Sequence, residues 1–62
     1  MQPGDTVFYW SGFFLEEAQI IMVGGINQVL LKEDRGIWIL KDVEELIRAE
    51  DMTDREWKYV NI

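Results

Sequence analysis

Neighbouring carboxylates recur four times in this chain, at Glu16-Glu17, Glu33-Asp34, Glu44-Glu45 and Glu50-Asp51. Two acids can share general acid/base work or hold a divalent cation when both carboxyls converge on one point. Adjacent residues of a strand project to opposite faces, so pairs in direct succession are badly placed for either task. The chain has no histidine and no cysteine, which removes the commonest general base, the usual zinc ligands and any thiol nucleophile. What remains is carboxylate, lysine and tyrosine, with no calcium-loop spacing and no nucleophile beside a base. The expectation is a non-enzymatic protein without metal or cofactor.

Charge narrows the partner. Twelve acids oppose six bases for a net charge of −6, and no Lys or Arg precedes Lys32. From Asp42 to Glu56 seven acids face two arginines. This is the reverse of a nucleic-acid footprint, and direct binding to phosphate backbones is not expected. An acidic face suits a basic protein partner. Alternatively, the acids from Asp42 to Glu56 imitate phosphates in the basic groove of a nucleic-acid enzyme, as small phage or mobile-element inhibitors do.

The elements that must position these residues read as strands. Pro3-Gly4-Asp5 is a turn signal before Thr6-Val7-Phe8-Tyr9-Trp10, a β-branched and aromatic run closed by Ser11-Gly12. A second strand is predicted over 17–23, with Ala18, Ile20 and Met22 on one face. Gly24-Gly25-Ile26-Asn27 supplies a hairpin loop before a third strand over 28–32, and Glu33-Asp34-Arg35-Gly36 supplies another before a fourth over 36–40. Asp42 and Glu45 have the spacing of a helix start, but the preferred reading of 42–49 is a tight turn followed by a fifth strand over 46–49. Thr53 and Glu56 form a capping box flanked by Met52 and Trp57, which predicts a helix over 54–60. The chain of 62 residues accommodates one domain. No apolar run is long enough for a signal-peptide core or a membrane span, so a soluble, cytoplasmic protein is expected.

This order of elements resembles the SH3-like small barrel as built in KOW and Tudor modules. The resemblance rests on Gly4-Asp5-Thr6-Val7 opening the first strand, Glu17-Ala18-Gln19-Ile20-Ile21 as the second and Gly24-Gly25 at the hairpin. Gln28-Val29-Leu30-Leu31 and Gly36-Ile37-Trp38-Ile39 follow as the third and fourth strands, with Val43-Glu44-Glu45-Leu46 as the turn before the last. It covers residues 4–48 and implies an all-β, five-stranded barrel carrying a short C-terminal helix. KOW modules that contact RNA have basic loops, which this chain lacks. Tudor modules bind methylated side chains in an aromatic cage with an acid, which implies Tyr9, Trp10, Phe13 and Phe14 with Glu16 or Glu17 as candidates. Plasmid-type dihydrofolate reductases are similar in length and barrel. Their Val-Gln-Ile-Tyr motif is replaced here by Ile37-Trp38-Ile39-Leu40, so the activity does not carry over.

Apolar content gives the stronger lead. Eight aromatics and a 48% hydrophobic share exceed what one small core absorbs. Phe13, Phe14, Leu15, Ile21, Ile26, Leu30, Trp38 and Leu40 cannot all enter it. The alternation that would bury Ile37 and Ile39 turns Trp38 and Leu40 outward. An exposed apolar patch on a small domain marks an interface, and Trp is favoured at binding hot spots. The expected partner-binding residues are therefore Trp38, Leu40, Phe14, Trp10 and Phe13, edged by Glu44 and Glu45. The occupant is a protein partner or a second copy of the chain.

Overall fold

A computed structural model describes residues 1–60. Five antiparallel strands make one sheet: β1 (Thr6–Ser11), β2 (Phe14–Gly24), β3 (Gln28–Glu33), β4 (Trp38–Asp42) and β5 (Leu46–Arg48). Their spatial order is β4-β3-β2-β1-β5. Single-turn 3-10 helices span Val43–Glu45 and Ala49–Asp51, and α1 covers Asp54–Trp57. The fold is thus mainly β with one short helix near the C-terminus, and five strands of this size are compatible with a small barrel-like fold.

Several predicted boundaries move. β2 begins at Phe14, three residues earlier than the pattern suggested, because Ser11 pairs with Phe14 across a two-residue loop. Gly12 occupies the first loop position with φ 64°, a conformation that only glycine adopts without strain and that a tight hairpin requires. Its companion Phe13 is therefore a loop residue. β4 begins at Trp38, after the four residues Asp34, Arg35, Gly36 and Ile37, of which Gly36 takes φ 84°. Ile37 consequently lies outside the strand and is 52% exposed, whereas burial was expected for it. The 42–49 segment is a turn plus strand, with Ala49 already in the next 3-10 turn.

The C-terminal helix is shorter than predicted. Thr53 caps it as expected: the Glu56 amide donates to Thr53 Oγ1 at 3.2 Å, and the Thr53 amide donates to Glu56 Oε1 at 3.0 Å. It ends at Trp57 because the chain tightens into a turn and runs on to pair with the sheet. The Leu15 amide donates to the Tyr59 carbonyl at 2.7 Å, and Val60 bridges Leu15 in parallel.

Burial is two-sided near β1. On the inner face Val7, Tyr9, Ala18, Ile20, Val29, Leu31 and Leu46 form the core, with Ile39 and Val43 packed against it. On the other face Phe8 and Leu15 are also buried. The Trp57 ring lies edge-on to Phe8, with centroids 5.1 Å apart. This explains why Val7-Phe8-Tyr9 is buried without alternation: each face of β1 has a cover.

Candidate interaction surface

A β-bulge in β2 sets which side chains reach the outer face. Ile20 pairs with Leu31, but Met22 pairs with Leu30, so Ile21 is an extra residue on β2. The expectation that Ala18, Ile20 and Met22 share a face therefore fails at Met22. Ala18 and Ile20 enter the core, while Met22 is turned outward and is 57% exposed.

The consequence is a row of apolar side chains across three strands. Met22 of β2 lies opposite Leu30 of β3, which lies opposite Leu40 of β4. Facing side chains on one side of such a ladder stand in contact range. Together with Gly24 and Gln28 they line a shallow groove of about 260 Å³. Two rows flank it. Trp38 faces Lys32 and then Gln19 on one side, and Asp42 faces Gln28 and then Gly24 on the other. Trp38 and Leu40 are 60% and 59% exposed, as the alternation of β4 predicted.

The same outer face is covered toward β1. There Trp57 sits on Phe8, and Tyr59 lies against Trp10 with ring centroids 5.5 Å apart. The C-terminal segment thus covers Phe8, flanks Trp10, which stays 46% exposed, and leaves the β2-β3-β4 half open.

The remaining expected partner residues are dispersed. Trp10 shares the outer face but has Tyr59 beside it. Phe13 is exposed at the hairpin tip. Phe14 falls on the strand face of Ala18 and Ile20, at the β1-β2 hairpin, and so lies on the opposite side of the sheet from Leu40. Glu44 and Glu45 belong to the 3-10 turn after β4. Glu45 accepts from the Asp42 amide at 3.1 Å and stands 3.9 Å from the Lys41 ammonium. The structure therefore joins Trp38 and Leu40 to Leu30, and it adds Met22 and Gln28, which the sequence pattern had not singled out.

The aromatics proposed for a cage do not converge. Tyr9 is a core residue whose hydroxyl donates to Glu33 Oε2, and the Lys41 ammonium lies 5.1 Å from its ring centroid. Burial, the hydrogen bond to Glu33 and the negative charge of Glu33 and Glu16 hold the Tyr9 hydroxyl well above the ordinary tyrosine pKa. Trp10 projects to the other face. The acidic segment, for its part, is engaged in local contacts: Arg48 binds Asp51 at 2.9 Å and Glu50 at 3.4 Å, and Glu56 completes the cap of α1. Among the described residues no group of three or more carboxylates is placed to hold a metal ion, and no helix is long and apolar enough to cross a membrane.

No family model, curated protein or solved structure matches this chain.

Proposed function

We propose that this chain is a non-enzymatic protein-interaction module that docks a protein partner, or a second copy of itself, on the outer face of β2-β3-β4. One observation carries the reading. A single sheet face is divided into a half where Phe8 and Leu15 are buried, Trp57 lying on Phe8, and a half where Met22, Leu40 and Trp38 remain open to solvent. A contiguous row of exposed apolar side chains on a small domain is the pattern of an interaction surface. Trp38 is the anchor residue, and the Asp42-Gln28 and Lys32-Gln19 rows supply a polar rim.

The strand order and the 3-10 turn before β5 support placing the module among SH3-like barrels. Phosphate mimicry is less well supported, because Glu45, Glu50, Asp51 and Glu56 are held in pairs with local amides and cations. The cell interior is the proposed location. The test is capture of partners from native lysate by wild-type and Trp38→Ala proteins, with light scattering on each. Loss of a specific partner or of self-association in the variant is the expected result. A strictly monomeric wild-type protein that retains nothing, and a variant that behaves identically, would refute the reading.

A further inference from the structure

Among the described residues β4 ends the sheet and is bordered by β3 alone. The hairpin joining the two strands determines which of its backbone groups are already used. The Glu33 amide donates to the Ile37 carbonyl at 2.9 Å, and the Gly36 amide donates to the Glu33 carbonyl at 2.8 Å. Glu33 and Ile37 are thus a hydrogen-bonded pair. Alternation along an antiparallel ladder makes Leu31-Ile39 and Val29-Lys41 hydrogen-bonded pairs as well. It follows that the amides and carbonyls of Trp38, Leu40 and Asp42 point to the open side. Glu45 occupies the Asp42 amide. Trp38 and Leu40 are left as an edge of unpaired donors and acceptors.

We propose that two copies of this chain pair antiparallel along β4 about a two-fold axis at Leu40, joining their sheets into one. The proposal rests on the interaction-surface reading and names the occupant as a second copy. Leu40 is the middle residue of the strand and its backbone groups face outward. Leu40 opposite Leu40 of the second copy therefore forms a hydrogen-bonded pair whose two bonds are equivalent by symmetry. On the outer face the axis meets the end of the Met22-Leu30-Leu40 row. Pairing there makes one apolar row that continues through both molecules. On the inner face Ile39 comes opposite Lys41 of the second copy, whose methylenes cover it while the ammonium stays near Tyr9.

At the strand ends, antiparallel pairing lays Arg35, which follows Asp34 in the β3-β4 loop, beside Glu44 in the second copy's Val43–Glu45 turn, one contact of opposite charge on each side of the axis. Over longer range the net charge of −6 on each copy opposes association. Added salt should screen that repulsion and strengthen the dimer.

Sedimentation velocity across a concentration series, combined with amide hydrogen exchange on the intact chain, tests this. The expected result is a monomer–dimer equilibrium in which the Trp38 and Leu40 amides exchange freely in dilute samples and slowly in concentrated ones. The Ile39 and Lys41 amides, already bound to β3, are slow in both. Leu40→Pro removes an amide that the monomer does not use and should weaken dimerisation by about tenfold or more. Leu40→Lys, which sets two ammonium groups on the axis, should do the same. Monomers at every concentration overturn the proposal, as does a dimer whose Leu40 amide still exchanges freely. A dimer lost in Trp38→Ala and unaffected by Leu40→Pro also overturns edge pairing, while leaving the interaction face intact.

Discussion

Tyr9, an aromatic that the resemblance marks as a cage candidate, lies in the core. Its hydroxyl donates to Glu33 at a point where Glu16 and Glu33 both disfavour a phenolate. In the unfolded chain the same hydroxyl titrates near about 10. Its folded pKa is raised, so its contribution to stability is complete below that value. The contribution is lost as pH climbs beyond it, because the unfolded state releases the proton first. Alkaline denaturation followed by circular dichroism should show stability falling above about pH 10. The fall should be shallower in Tyr9→Phe, which itself costs about 1.5–3 kcal/mol at neutral pH through the lost hydrogen bond to a carboxylate. Trp38 is the converse case. With its side chain largely in solvent, Trp38→Ala should change unfolding free energy by no more than about 0.5 kcal/mol, measured by urea titration. A large loss there would assign Trp38 to the core instead of to an interface.

Among the elements, the C-terminal turn of helix is the least self-sufficient and the most consequential. Four residues cannot hold a helix alone. α1 persists through the Thr53-Glu56 capping box and through Trp57 on Phe8. Thr53→Ala should cost about 1 kcal/mol, and tryptophan fluorescence should shift to the red as Trp57 leaves Phe8. The β3-β4 hairpin depends on Gly36 in the left-handed region. Gly36→Ala meets open space around the new methyl, so its cost is conformational only. About 1–2 kcal/mol is expected, measured as a lower denaturation midpoint with an unchanged m-value. Both positions were legible in the sequence, since a capping box and a loop-ending glycine are local patterns. The length of α1 was not, because its end is set by Val60 pairing with Leu15, a partner 45 positions away in the chain.

For the molecule as a whole, marginal stability follows from size. A 62-residue domain is expected to hold about 3–9 kcal/mol against unfolding. Phe8 is fully buried between the sheet and Trp57, and Phe8→Ala should remove about 3–5 kcal/mol. That is enough to bring the variant to the edge of unfolding, and a thermal melt should show a much lower midpoint. The contrast between Phe8→Ala and Trp38→Ala separates the covered half of the outer face from the open half.

Strand identity, hairpin sites and the outward turn of Trp38 and Leu40 were all determined by short-range signals: β-branched and aromatic runs, loop glycines and period-two alternation. The lack of histidine and cysteine, and so of imidazole and thiol side chains, was equally plain. Three-dimensional pairing decided the rest. Met22 faces outward because β2 carries one residue more than β3 between two matched pairs, an offset that exists only relative to the partner strand. Phe14 and Leu40, both surplus apolar residues in the pattern, lie on opposite sides of the sheet because a two-residue loop starts β2 early. Phe8 is buried despite alternation because α1 returns to cover it. In each case the local sequence is compatible with either face, and contact with a distant segment selects one.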